Sequence, residues 1–176
     1  MNTISLTTPF TEEQIRALRC GDRVRLSGVI WTGRDAAHRR LVALLDEGKP
    51  LPVDLNGQAL YFVGPCPAPP GRVIGSAGPT TSGRMDAYSP RLIADCGLRG
   101  MIGKGNRSAA VVEAMKRYGA VYFAATGGAG ALIARCIRAC SVVAFPELGP
   151  EAIYRLEVEN LPLVVAIDAA GNSLYR

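Results

Sequence analysis

The run Ala120-Val-Tyr-Phe-Ala-Ala125 limits the fold more than any other stretch of the chain. An unbroken apolar run of strand length has no side to turn to water, so it predicts a strand covered on both faces, as in helix-covered parallel sheets. Its surroundings repeat one rhythm. Arg99-Gly-Met-Ile102 leads into Gly103-Lys-Gly105 and then a helical pattern from about Ser108 to Tyr118. After the run, Gly127-Gly-Ala-Gly130 precedes another helical pattern. Ser141-Val-Val-Ala-Phe145 and Leu163-Val-Val-Ala-Ile167 read as further buried strands, with a turn at Gly171-Asn172 closing the chain. Strand, glycine turn and helix in alternation define an α/β fold, and such sheets bind ligands on the loops that leave the carboxyl ends of their strands.

The earlier part of the chain fits the same class. Thr11-Glu-Glu-Gln14 has capping-box spacing ahead of Ile15 and Leu18, which predicts a short helix ending near Gly21. Arg23-Val-Arg-Leu-Ser alternates polar and apolar residues as a half-buried strand does, and Val29-Ile-Trp31 continues or returns it. Asp35 is placed to cap a helix running to Gly48, and Leu60-Tyr-Phe-Val63 is a short β-prone run after the Asn56-Gly57 turn. Four prolines between Gly64 and Gly71 forbid regular pairing and mark an exposed loop. Arg72-Val-Ile-Gly-Ser76 reads as a strand, and Ser89-Pro90 as an N-cap with proline at N1, opening a helix that stops at Gly97. There are no repeats and no long linker, so residues 1–176 read as a single domain.

Composition excludes several classes. With 48% hydrophobic and 20% charged residues the chain is not generally disordered. No apolar run approaches the roughly 18 residues of a membrane span. The first residues lack a basic segment followed by an apolar one, and the expected location is the cytoplasm. The net charge of +5 suits an anionic partner, but the basic residues are scattered rather than clustered as in nucleic-acid patches. All of them except Lys49, Lys104 and Lys116 are arginine, whose planar fork suits carboxylates and phosphates. Most of these arginines read as ordinary surface residues. The five cysteines are an odd number in a chain without a secretion signal, which argues against a disulfide framework.

The glycine loops invite a nucleotide reading and fail it on spacing. A phosphate-binding P-loop needs a glycine five residues before the Gly-Lys pair and a hydroxyl residue after it. Leu98 and Gly105 occupy those positions around Gly103-Lys104. Ser108 and Ile133 stand where the third glycine of a dinucleotide fingerprint belongs. What remains is a set of cations beside glycines: Arg34 after Gly33, Arg84 after Gly83, and Lys104 between Gly103 and Gly105. Glycine allows close backbone approach to a small ligand, and Thr80 and Thr81 add hydroxyls in a turn started by Pro79. These are parts for holding a small dianion such as a dicarboxylate. Cys136 and Cys140 fall on one helical face, but no third or fourth ligand lies nearby, so they read as core thiols. His38, the sole histidine, reads as a structural or capping residue, with catalysis the other option.

At these segments the chain resembles a known family. Gly33-Arg-Asp-Ala-Ala-His38, Gly78-Pro-Thr-Thr-Ser-Gly-Arg-Met-Asp86 and Gly103-Lys-Gly-Asn106 are similar to signature segments of the β subunit, or C-terminal domain, of class I iron–sulfur fumarases. The opening Leu-Thr-Thr-Pro, Asp54-Leu-Asn-Gly57 and Gly64-Pro65 extend the likeness over nearly the whole chain, and the L-tartrate dehydratase β subunit is similar over the same length. The resemblance implies a three-layer β/β/α swivelling domain and reversible hydration of fumarate to L-malate. It implies an α-subunit partner that carries a 4Fe–4S cluster, with none held by this chain, in a hetero-oligomer active only when both parts are present. By motif matching, Arg34, Thr81, Arg84 and Lys104 would bind substrate, and Thr80 would be the base that removes the C3 proton of malate. Neither nucleic acid nor membrane is implied as a partner. A noncatalytic module that binds small anions stays open beside these two enzymes.

Overall fold

The computed structural model describes residues 2–125 and 130–175. Strands β1 (Thr3–Thr7), β2 (Arg23–Thr32), β3 (Ala59–Tyr61), β4 (Gly100–Gly103) and β5 (Val121–Ala124) lie side by side in that order, all parallel. The last strand, β7 (Ile153–Ile167), runs antiparallel to β5 and also to β2, so β2, β3, β4, β5 and β7 close into a ring. Strand β6 (Ile137–Ala144) hangs on the far side of β7 as an edge. The helices are α1 (Glu12–Ala17), α2 (Asp35–Asp46), α3 (Ser89–Cys96), α4 (Ala109–Tyr118) and α5 (Gly130–Arg135).

Side-chain alternation along the short strands divides the interior into two cores. Tyr61, Ile102, Val121 and Phe123 point into the ring and meet Leu26, Ile30, Leu156 and Val165 from β2 and β7. Leu60, Met101 and Tyr122 point the other way, against Leu41 of α2, Leu92 of α3 and Met115 of α4. Helices, parallel strands and the antiparallel strands folded across them are the layers of this α/β protein. The ring closure is not visible in the local pattern, because β2 and β7 are joined only by pairing between distant segments. No helix among the described residues is long and apolar enough to cross a membrane.

Most elements fall where the sequence places them. The Thr11 hydroxyl accepts from the Gln14 amide at 3.1 Å, and the Gln14 side chain accepts from the Thr11 amide at 3.0 Å. Gly97 ends α3 in the left-handed region at φ 70°. Five expectations need correction. Asp35 is the first residue of α2 rather than its cap; Arg34 stands at the cap, and the Asp35 carboxylate is turned toward Arg84. Ser89 likewise lies inside α3, and its hydroxyl donates to the Met85 carbonyl at 3.1 Å. Arg72–Ser76 forms no strand: the Cys66 amide donates to Ser76 O and the Gly75 amide to Cys66 O, so the segment folds back on the proline loop. Ser141, Val142 and Val143 are exposed, since β6 pairs only with β7. Helix α5 stops before Cys136, and Cys140 lies on β6, so the two thiols share no helical face. The Gly127–Ala129 part of one glycine loop lies outside the described residues.

Candidate functional site

Adjacent parallel strands lie about 4.8 Å apart, so residues leaving the same end of β2, β3 and β4 arrive together. Arg34 follows β2, Phe62 to Gly64 follow β3, and Lys104 follows β4. The Thr80 amide donates to the Phe62 carbonyl at 2.7 Å, which lays the Gly78–Arg84 segment over these strand ends. Thr81 then makes a parallel bridge with Lys104, and the Ser82 amide donates to Lys104 O at 2.9 Å. A 3₁₀ turn over Ser82–Met85 carries Arg84 to the start of α2, where its Nε donates to Asp35 Oδ2 at 3.1 Å. Arg34, Thr80, Thr81, Arg84 and Lys104 therefore collect at the carboxyl end of the parallel strands.

Two glycines allow close approach at this end of the sheet. A Cβ at Gly103 would stand 1.9 Å from Ser82 Oγ, so only glycine lets the threonine segment cross here. A Cβ at Gly64 would come within 3.0 Å of both Cδ and Nη1 of Arg34, whose side chain lies against that bare backbone. Arg34 Nε is buried and has no hydrogen-bond partner among the described residues, and neither has Asp35 Oδ1. An unpaired buried donor carries a desolvation cost of about 1–3 kcal/mol, which a bound acceptor would relieve. Lys104 and Thr81 are exposed, the Arg84 side chain is 53% exposed, and Arg34 and Thr80 are half-buried.

His38 takes the structural option. Its Nδ1 lies 2.8 Å from the Arg34 carbonyl, and because a carbonyl only accepts, Nδ1 carries the proton. The ring is fully buried beside Phe62 and Tyr88, and burial holds its pKa down at about 4, from an ordinary 6.5. It stays neutral at neutral pH and steadies the turn that launches Arg34.

Sequence reasoning missed the layer beneath these loops. The Arg107 side chain has 0% exposure; its Nε donates to Asp86 Oδ1 at 2.7 Å and its Nη2 to Ser89 Oγ at 2.8 Å. The Tyr122 hydroxyl donates to Gly105 O at 2.8 Å and accepts from Ser82 Oγ at 2.7 Å. Burial pushes the Tyr122 phenol well above its ordinary range, so it remains protonated. The available signal was position: Asp86 ends one quoted signature segment, and Arg107 directly follows another.

No group of three or more His, Cys, Asp or Glu among the described residues is placed to hold a metal, and the five cysteines are free thiols. That donor set does not fit a four-iron cluster, which needs thiolates converging on one place.

The structure thus defines an α/β domain with its glycine-flanked cations gathered at one end of a parallel sheet. The sequence matches the family described as Fumarase C-terminus over residues 1–176, and the chain belongs to that family. It is 39% identical to "Fumarate hydratase class I, aerobic" of Escherichia coli strain K12, over 98% of this chain and 32% of the relative. It is 42% identical to "Putative fumarate hydratase class I" of Geobacillus stearothermophilus, over 98% of this chain and 34% of the relative. With "Putative L(+)-tartrate dehydratase subunit beta" of Methanocaldococcus jannaschii it shares 39% identity, over 95% of this chain and 88% of the relative. The chain spans about a third of the length of these fumarate hydratases.

Proposed function

We propose that this chain is the dicarboxylate-binding part of an iron–sulfur hydro-lyase that reversibly hydrates fumarate to L-malate. The observation that carries this reading is the gathering of Arg34, Thr80, Thr81, Arg84 and Lys104 around bare glycine backbone at Gly64 and Gly103. Guanidinium and ammonium groups are donors only, and the two threonines add hydroxyls, so the set suits a small dianion. Arg34, Arg84 and Lys104 take the substrate carboxylates, with Thr81 beside them. Removing the C3 proton of malate puts negative charge on the adjacent carboxylate, and positioned cations stabilise that charge where it develops. Thr80 is the proposed base, and a threonine oxygen takes this role only with cations nearby to stabilise its deprotonated form. Arg84 and Lys104, carried on the same crossing of loops, are those cations in this reading.

The 4Fe–4S cluster implied by the resemblance has no seat among the described residues, and in this reading it belongs to a partner α subunit. Residues 1–176 then act as one domain within a hetero-oligomer, working in the cytoplasm. A second reading, the β subunit of L-tartrate dehydratase, draws support from the Methanocaldococcus relative, most of whose own length the chain covers. The test is to co-express the chain with a cluster-bearing partner, reconstitute the pair without oxygen, and follow fumarate, malate and both tartrates spectrophotometrically. Malate and fumarate turnover by the pair, and by neither part alone, is expected. Turnover of tartrate alone would move the assignment to the second reading. A four-iron cluster bound by this chain alone would overturn the division of labour.

A further inference from the structure

Among the described residues Arg107 is the one buried arginine, its side chain 0% exposed, and its contacts run sideways between two loops. Its Nε donates to Asp86, which closes the segment that carries Thr80, Thr81 and Arg84. Its Nη2 donates to Ser89 Oγ, the hydroxyl that reaches back to Met85 O. Its own backbone belongs to the loop that carries Lys104, and Asp86 Oδ2 also accepts from the Ser108 amide at 2.7 Å. The guanidinium lies 5.1 Å from the Phe62 ring, just past β3, and 4.9 Å from the Tyr122 ring, within β5. A buried ion pair is an inefficient source of stability, because desolvation offsets most of its attraction. What a planar fork supplies well is direction. Here the directions run from the loop of Lys104 to the loop of Arg84.

We propose that Arg107 is a positioning residue for the dicarboxylate site, holding the Arg84 loop and the Lys104 loop in fixed register through Asp86 and Ser89. This rests on the dicarboxylate reading above for its effect on catalysis, but not for its effect on the loops. Arg107 touches no substrate. It acts through the Ser82–Lys104 hydrogen bond and the Thr81–Lys104 bridge, the two backbone links that join the loops over the strand ends.

The test uses the enzyme assembled with its cluster-bearing partner and four variants: Arg107→Lys, Asp86→Asn, Arg84→Lys and the double variant Arg107→Lys/Arg84→Lys. Two readouts are taken on each, malate kinetics and hydrogen exchange at the Ser82 amide against the Ile102 amide of β4. Misplacing binding groups by about 1 Å costs on the order of 100-fold in rate. Arg107→Lys is therefore expected to raise KM and lower kcat/KM by about 10–100-fold, and to speed exchange at Ser82 while Ile102 stays protected. Asp86→Asn, which keeps volume and leaves Arg107 in place, should reproduce both effects in smaller degree. Because Arg107 works through the same loop, the double variant should fall within about threefold of Arg84→Lys alone, since residues acting as a unit are not additive. The proposal is overturned if Arg107→Lys and Asp86→Asn leave Ser82 exchange in step with Ile102 exchange, whatever their effect on stability. If Ser82 exchange rises but Arg84→Lys itself keeps wild-type kinetics, the loops are positioned as proposed and the dicarboxylate reading is what fails.

Discussion

The side chain of Arg107 has 0% exposure, whereas that of Arg84, on the loop it braces, is 53% exposed. Arg107 spends its donors inward, on Asp86, Ser89 and two aromatic faces. Arg84 makes a single ion pair, to Asp35, and keeps the rest of its fork toward solvent. Both are arginines beside glycine-rich loops, yet one is committed to holding backbone and the other is free to hold a ligand. The difference lies in surroundings alone, and it separates the buried layer of Arg107, His38 and Tyr122 from the more open layer of half-buried Arg34 and Thr80 and exposed Thr81, Arg84 and Lys104. Substitutions below should change stability and the register of the loops above, and substitutions above should change the chemistry directly.

The largest expected effect is in the upper layer. Thr80→Val, which matches threonine in shape but offers no acceptor, should abolish malate turnover, whereas Thr80→Ser should retain measurable activity. The check is kcat together with the deuterium isotope effect on malate labelled at C3. A near-normal kcat with raised KM in Thr80→Val would remove Thr80 from the base role and leave the carboxylate-binding cations standing.

Below, Arg107→Ala strands the Asp86 carboxylate and opens a void between Phe62 and Tyr122. Breaking a buried pair in this way costs about 3–5 kcal/mol, read from urea unfolding. A loss below about 1 kcal/mol, the range of surface pairs, would erase the contrast with Arg84.

The division between the layers also explains what could be read beforehand. The capping box at Thr11, the buried run at Val121–Ala124 and the stop at Gly97 are local features, fixed by neighbours within a few residues, and they appear where the pattern places them. The candidate site residues were legible because Arg34, Arg84 and Lys104 each stand beside a glycine and Thr80 and Thr81 lie between Gly78 and Gly83, all in recognisable segments. Arg107 was not, since a buried arginine and a surface arginine look alike in a chain with many of them. Ser141–Val143 misled for the opposite reason: an apolar run at a sheet edge has the same composition as one at its centre. Closure of the ring by β7 depends on pairings such as Val24 with Leu163, which no local pattern encodes.

His38 gives a smaller effect with a defined sign. Its pKa is about 4 in the folded chain and 6.5 when exposed, so the unfolded state takes up a proton first as pH falls. Stability contributed by the neutral ring is fully present above pH 6.5 and is lost as pH falls from there toward pH 4. Between about pH 7.5 and pH 5 the loss from this one group is about 2 kcal/mol, and His38→Gln should flatten that slope in urea unfolding. An unchanged slope would mean that the ring is not buried neutral.

The smallest effect expected is on the stability of Arg84→Lys, within about 1 kcal/mol of wild type, because its pair with Asp35 is a surface one. The same variant is the sharpest probe of whether the upper layer binds substrate. Lysine keeps the charge and loses the fork, and loss of one such transition-state contact typically costs about 100- to 1000-fold in rate. Malate turnover and urea unfolding are measured on one preparation of the Arg84→Lys enzyme assembled with its partner. A fall in turnover of that order with an unmoved unfolding midpoint is the result expected of a ligand-binding arginine. Turnover within about threefold of wild type would show that Arg84 is one more surface arginine, and that the site is not built as proposed here.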